Sequence, residues 1–129
     1  HVSSILQISA DNIHFPQSDN DLEKIDVQIK TLDSLSLLNK ENSGITLLKL
    51  DVQGYELEVL KGAEETLKNI DYIVIEANLE QLYTNQPSLN QMYYYLDSKG
   101  YEIKGMLDFN LGNGNKYIEI DLLFSKKAK

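Results

Sequence analysis

Two nearly continuous apolar runs, residues 45–50 and residues 72–77, stand at the centre of the chain. Runs of this kind are typical of strands that are covered on both faces of a sheet. Between them apolar side chains recur at helical spacing, at Leu57, Leu60, Ala63 and Leu67. Charged residues fill the outer arc of that helix: Glu56, Glu58, Lys61, Glu65 and Lys68. The pattern predicts two parallel strands joined by an amphipathic helix.

Upstream of this unit the pattern is weaker. Residues 1–24 are irregular, and residues 25–30 alternate between apolar and polar side chains. Alternation of period two predicts a half-exposed strand. Asp33 follows directly and is placed to cap a short helix that carries Leu35 and Leu38.

Downstream, the sequence predicts a helix and then a hairpin. Ser88 and Gln91 fit a capping box, and Gly100 stands where a helix commonly ends. The buried stripe of this helix is predicted to contain Leu89, Met92, Tyr93 and Leu96. Two strands follow, over residues 101–109 and 117–124, and Asn113-Gly114 between them indicates an antiparallel hairpin. The order predicts an α/β fold in which a parallel sheet ends in an antiparallel hairpin.

Composition narrows the class of protein. A chain of 129 residues fits one domain, and its net charge of −8 argues against a nucleic-acid or anionic-membrane partner. The chain contains no cysteine, which excludes disulfides and thiolate metal sites, and its two histidines, His1 and His14, do not suggest a metal site. No apolar run approaches the roughly 18 residues of a membrane span, and no signal peptide opens the chain. We therefore expect a cytoplasmic protein.

Acidic residues end both apolar runs, Asp51 after the first and Glu76 in the second. Ligands bind at the carboxyl ends of parallel strands, so both acids fall where a site is expected. Asp51 has two interpretations, a ligand-binding or catalytic carboxylate and an N-cap of the helix that follows. Lys49 leaves the same face of the strand as Asp51, and it either positions a substrate or pairs with Asp51 or Glu76.

These residues form a recognisable motif: Lys49-Leu-Asp51-Val-Gln53-Gly54-Tyr-Glu56, then an apolar strand ending in Glu76-Ala-Asn78, with Tyr83 and an upstream Thr-Leu-Asp33-Ser-Leu. The motif resembles that of the FkbM family of S-adenosylmethionine-dependent methyltransferases, in which a glutamate usually stands at the position of Gln53. The resemblance implies that residues 1–129 are the C-terminal part of a single Rossmann-like methyltransferase domain, with residues 1–24 as an irregular lead-in. The family's glycine-rich turn would precede His1.

The resemblance also implies a reaction and a set of roles. The cofactor would be S-adenosylmethionine, and the acceptor a hydroxyl group of a sugar or another small hydroxylated metabolite. The implied catalytic residues are Asp51, Glu76 and Lys49; the implied cofactor-binding residues are Asp51, Gln53, Gly54 and Asp33; the implied substrate-binding residues are Glu56, Asn78 and Tyr83. This part of the domain alone is expected to be inactive and to bind the cofactor negligibly.

Two other classes of function stay open from the sequence. One is a non-catalytic interaction module derived from the same fold, and the other is an unrelated α/β enzyme of hydrolase type that uses Asp51. For any of the three, we expect no nucleic-acid or membrane partner. If a preceding strand belongs beside residues 45–50, its absence leaves an open sheet edge, and we expect these 129 residues to self-associate there.

Overall fold

The computed structural model describes residues 4–7, 25–37, 44–112 and 117–128. The elements are, in chain order, α1 (Leu32–Leu35), β1 (Leu47–Leu50), α2 (Glu56–Lys61), the 3₁₀ helix η1 (Thr66–Asn69), β2 (Tyr72–Asn78), α3 (Leu89–Ser98), β3 (Tyr101–Leu111) and β4 (Tyr117–Lys126). In this part of the chain, no helix is long and apolar enough to cross a membrane.

The strands form one mixed sheet in the order β1-β2-β4-β3. β1 and β2 run parallel, and β4 is antiparallel to both β2 and β3. The predicted α/β class, the strand–helix–strand unit and the terminal hairpin are therefore confirmed. The predicted hairpin turn at Asn113-Gly114 lies outside the described residues, and assignment to a Rossmann-like fold stays a prediction.

One face of the sheet carries the hydrophobic core. Ile73, Ile75 and Ala77 alternate along β2 and are buried. Against them pack side chains from the helical layer and from β4: Leu60, Ala63, Leu67, Met92, Leu96 and Phe124. The helical spacing predicted these contacts, although the helix is shorter than the pattern suggested. α2 ends at Lys61, and η1 carries Leu67 back onto the sheet.

The capping box of α3 is confirmed, because Ser88 and Gln91 bond reciprocally. Gly100 follows the helix with a φ of 84°, as predicted for a glycine at that position. The prediction that Tyr93 is buried was wrong, since its ring lies at the exposed side of the helix. Tyr95 is the part-buried tyrosine, and its hydroxyl donates to the carbonyl of Leu60. It lies three residues beyond Met92 and therefore shares that face of the helix.

The predicted strand over residues 25–30 is not formed. Its apolar side chains Ile25, Val27 and Ile29 are exposed. No strand among the described residues pairs with this segment. Alternation alone does not produce a strand, because the backbone groups need a neighbouring ladder.

The helix after it begins differently from the prediction. Thr31 is the N-cap of α1, and its Oγ1 accepts a hydrogen bond from the N–H of Ser34 at 3.2 Å. Asp33 lies inside α1 and does not cap it. Leu35 is exposed, and Leu38 lies outside the described residues.

β1 is shorter and less covered than its apolar run predicted. It begins at Leu47, and only Leu50 of its four residues is buried. Ile45, which was predicted to belong to it, is 80% exposed. β2 has neighbours on both sides and is buried at most positions, whereas β1 has a single neighbour among the described strands. The two apolar runs therefore differ in burial because of their positions in the sheet and not because of their composition.

Candidate functional site

The turn between β1 and α2 has an unusual backbone. Gln53 and Gly54 both have positive φ, 53° and 94°, a conformation that only glycine adopts without cost. The N-cap of α2 is Tyr55, which makes no side-chain capping bond. The interpretation of Asp51 as a helix cap was therefore wrong, since the helix begins only after the turn.

Glu56 supports this turn from within. Its side chain is only 2% exposed, and its Oε1 accepts hydrogen bonds from the N–H groups of Val52 and Gly54, both at 3.2 Å. The prediction that Glu56 lies on the outer arc of the helix was wrong. A carboxylate that accepts two backbone N–H groups offsets the lack of a side-chain cap at the start of α2.

Gln53 joins the candidate residues into one cluster. Its Nε2 donates to Oδ1 of Asp51 at 3.1 Å and to Oε1 of Glu76 at 2.9 Å. Its Oε1 accepts from the hydroxyl of Tyr83 at 2.8 Å. An amide has two N–H donors, so one glutamine can bond both carboxylates at once. A glutamate in its place would add a third negative charge between them.

Gly54 is required by packing as well as by its φ. A Cβ atom there would lie 3.0 Å from Cδ1 of Leu6 and 3.3 Å from Cδ2 of Tyr83. The segment that carries Leu6 is bonded at both ends: the Oγ of Ser4 donates to the carbonyl of Gln53 at 2.7 Å, and the N–H of Thr84 donates to the carbonyl of Gln7 at 2.8 Å. Residues 4–7 therefore cover the turn, and their side chains fill the space that the glycine leaves.

Glu76 is the most perturbed carboxyl group of the cluster. Burial, together with the negative charges of Glu119, Asp51, Asp121 and Glu56, raises its pKa to about 7 from an ordinary value of 4.5. At neutral pH this carboxyl group is close to half protonated, so it can either take up or release a proton.

Lys49 and Asp51 form the predicted pair on one face of β1, with Nζ 3.3 Å from Oδ2. This hydrogen bond raises the pKa of Lys49. Both side chains are exposed, so the pair contributes little to stability. Asp51 is thus held by Lys49 through one oxygen and by Gln53 through the other.

Of the remaining predicted residues, Tyr83 and Asn78 lie at the cluster or next to it, and Asp33 lies elsewhere in the structure. Tyr83 is 1% exposed, and burial raises its pKa to about 12, so it acts as a hydrogen-bond donor. Asn78 ends β2 next to the cluster and is buried. Asp33 is not brought to it. Its carboxylate accepts hydrogen bonds from the backbone of Glu65 and from Thr66, beyond the C-terminal end of α2.

Two acidic residues of β4 also lie at the site, and the sequence analysis did not identify them. Asp121 is the partner of Glu76 in the sheet register, and Glu119 is the partner of Asn78. Alternation along β4 could have placed both on one face, but only the register identifies their neighbours. Among the described residues, no group of three or more potential metal ligands is close enough to hold an ion.

A cavity of about 590 Å³ opens beside the turn, between the starts of α2 and α3. Its lining mixes apolar and polar side chains: Leu6, Tyr55, Leu57, Glu58, Lys61 and Gln86. This volume falls within the usual range for small-molecule sites.

Comparison with known proteins agrees with the motif. Residues 3–103 match the family model described as Methyltransferase FkbM domain. No curated protein and no solved structure matches the chain significantly. The family match confirms the resemblance indicated by the motif around Asp51 and Gln53.

Proposed function

The chain belongs to the FkbM methyltransferase family, and on this premise we propose that it forms the acceptor side of an S-adenosylmethionine-dependent methyltransferase. The observation that carries the proposal is the bonded cluster of Asp51, Gln53, Glu76 and Tyr83, which lies at the carboxyl ends of two parallel strands. Ligands of parallel α/β sheets bind at such ends. The strand order, with an antiparallel β4 inserted beside β2, supports the C-terminal half of a Rossmann-like domain.

The residues present fit one part of the cofactor. S-adenosylmethionine, when bound, supplies an electrophilic methyl group on a sulfonium sulfur. Asp51, with the Gln53 amide beside it, suits a cationic group. Asp33 lies beyond the far end of α2 and does not belong to this cluster. We therefore assign cofactor contact within this chain to Asp51 and Gln53, and not to Gly54, which Leu6 and Tyr83 cover.

Glu76 has the properties of a general base for a hydroxyl acceptor. A base works best when its pKa is near the working pH, and the pKa of Glu76 is raised to about 7. Gln53 donates to one carboxylate oxygen of Glu76, which fixes its position. Asp51 then orients the acceptor, and Lys49 holds Asp51 from the solvent side.

The acceptor is a small hydroxylated molecule, a sugar or a related metabolite. Support comes from the cluster itself, since carboxylate and amide oxygens bind hydroxyl groups. The residue that would contact the acceptor is Asn78, while the buried Tyr83 supports it indirectly by holding Gln53, and Glu56 shapes the turn beneath the cluster.

The test compares two isosteric variants in the parent protein that contains these residues. Methyl transfer from labelled S-adenosylmethionine to a panel of sugars is measured between pH 5 and pH 9. Glu76→Gln should lower turnover about a hundredfold or more and remove the rise in rate between pH 6 and pH 8. Asp51→Asn should lower turnover and keep a rise in rate with pH, shifted to lower pH because the Asp51 charge helps to raise the pKa of Glu76.

Glu65→Gln is the control, because Glu65 is an exposed carboxylate on the helical side that pairs with Lys68 and lies outside the lining of the cavity. It should change neither the turnover nor the pH profile. If Glu76→Gln keeps the wild-type profile, Glu76 is not the base. If no acceptor is methylated by the wild-type protein, the proposed activity is wrong and an interaction module becomes the better interpretation.

A further inference from the structure

The sheet face opposite the core has a polar end. Ile73, Ile75 and Ala77 point to the core, so Glu76 and Asn78 point to the other face. The register places the acids of β4 beside them, Asp121 across from Glu76 and Glu119 across from Asn78. This polar end therefore lies at the same edge of the sheet as Asp51.

Within this group, the side-chain oxygen of Asn78 has no evident binding partner among the described residues. Its side chain is 6% exposed, and its Oδ1 has no hydrogen-bond partner among the described residues. A buried amide oxygen without a donor is costly, and in native proteins such an atom commonly faces a ligand or an ordered water. Its cross-strand neighbour Glu119 is bonded on the far side, where Nδ2 of Asn110 donates to its Oε1 at 2.6 Å.

The surroundings of Asn78 are strongly negative. Glu119 and Asp121 both raise the pKa of Glu76, so the negative charges of both act at this face of the sheet. Among the described residues, the ammonium of Lys49 acts on Asp121 and Glu76 and is bonded to Asp51 at 3.3 Å. Its single positive charge does not neutralise the acids of two strands.

We propose that Asn78, Glu119 and Asp121 form a subsite for a protonated amino group of the acceptor. An ammonium carries three N–H donors and no acceptor, so it can bond Oδ1 of Asn78 while its charge is balanced by the two carboxylates. A neutral hydroxyl would satisfy Asn78 but leave the negative charge uncompensated. The acceptor is then an amino sugar or a similar amino alcohol. This identification of the acceptor rests on the proposed function.

The binding test needs no cofactor and no turnover. Calorimetric titration of this chain with glucosamine at pH 6.5, where the amine is protonated, is compared with titration by glucose, which matches it in shape. Glucosamine should bind about tenfold more tightly or better. Glu119→Gln and Asp121→Asn should each weaken glucosamine binding several-fold and leave the weak binding of glucose unchanged.

Glu65→Gln serves as the matched control, because Glu65 is an exposed carboxylate on the helical side, paired with Lys68. It should leave both affinities at the wild-type value. Equal affinities for glucosamine and glucose would overturn the subsite, as would glucosamine binding that survives both β4 substitutions. Selective amine binding together with absence of methyl transfer in the parent protein would uphold the subsite and refute the proposed activity.

Discussion

The hydroxyl of Tyr83 donates a 2.8 Å hydrogen bond to Oε1 of Gln53, and this contact joins the segment after β2 to the turn after β1. Carboxylates accept hydrogen bonds, so the Nε2 of Gln53 faces Asp51 and Glu76, and its oxygen is left to accept from Tyr83. The buried tyrosine thus holds the amide at the end opposite the two carboxylates. The predictions about the cluster follow from this arrangement.

Tyr83→Phe removes the hydroxyl and keeps the ring that packs against Gly54. Loss of one hydrogen bond to a part-buried amide should lower the free energy of unfolding by about 0.5–1.5 kcal/mol. Urea denaturation measures the change. Tyr94→Phe is the control, because the side chain of Tyr94 is exposed on α3, and it should leave stability unchanged. Equal stability of all three proteins would show that the bond does not hold Gln53.

Gly54→Ala places a methyl group where Leu6 and Tyr83 already lie, in a backbone of φ 94°. Backbone strain and the displacement of these two side chains should together lower the free energy of unfolding by roughly 1–3 kcal/mol. The measurement is thermal unfolding followed by circular dichroism. Gly44→Ala is the matched control, since a Cβ there meets nothing within 4 Å. A wild-type melting temperature for Gly54→Ala would contradict the packing described for the turn.

Glu76→Gln should change how stability depends on pH. Because burial raises the pKa of Glu76 from 4.5 to about 7, the folded protein binds its proton more tightly than the unfolded chain does. The contribution of Glu76 is therefore fully present below pH 4.5 and is lost as the pH rises to about 7. At pH 8 the variant should be more stable than wild type by roughly 1–2 kcal/mol, reduced from the full linkage value by solvent screening.

The readout is the difference in unfolding free energy between wild type and Glu76→Gln at pH 5 and pH 8. Glu65→Gln, at the exposed residue that precedes η1, should differ from wild type in unfolding free energy by the same amount at both pH values. A difference for Glu76→Gln that does not change with pH would mean that Glu76 titrates normally in the folded protein.

Asp33→Ala should destabilise the fold without affecting the cluster. The carboxylate accepts from the N–H of Glu65 at 3.1 Å and from the N–H and Oγ1 of Thr66 at 2.8 and 2.7 Å. Partial burial raises the pKa of Asp33, but these bonds outweigh it and the net pKa is lowered. We expect a loss of about 1–2 kcal/mol at pH 7.

The pH dependence gives that prediction a second check. A lowered folded pKa means that the contribution of Asp33 is present above pH 4 and is lost as the pH falls further. The difference in free energy of unfolding between Asp33→Ala and wild type, measured by urea denaturation, should therefore become smaller towards pH 3. Asp26→Ala, in the exposed segment before α1, should leave the free energy of unfolding unchanged at either pH. If Asp33→Ala also costs nothing at pH 7, the bonds to Glu65 and Thr66 do not stabilise η1.

Self-association should occur through β1. Among the described strands β1 has a neighbour on one side only, and Ile45 and Leu47 beside that edge are largely exposed. Unpaired backbone groups next to apolar side chains favour pairing with a second strand. Sedimentation velocity of this chain at rising concentration should show dimers or larger species, which Leu47→Lys should disperse. Tyr94→Lys on α3 should have no effect, and a strict monomer at all concentrations would count against the prediction.

The sequence determined the features that depend on neighbours close along the chain. The capping box of Ser88 and Gln91 needs a separation of three residues, and the buried side chains Leu60, Ala63 and Leu67 follow from helical spacing. The pairing of Lys49 with Asp51 needed only the alternation of a strand. The motif also identified the family, because its central residues, Lys49 to Glu56, are contiguous in the sequence.

Only the tertiary structure decided which distant segments meet. The bond between Gln53 and Tyr83 and the register of Glu76 with Asp121 both join residues far apart in sequence. For the same reason residues 25–30 formed no strand, since the described residues supply no partner. Glu56 differs, because the donors that turn it inward, Val52 and Gly54, are close along the chain; what helical spacing did not show was the turn backbone before α2. Hydrogen bonds and charges act over a few ångströms in space, so for residues far apart along the chain the sequence does not show which of them come that close.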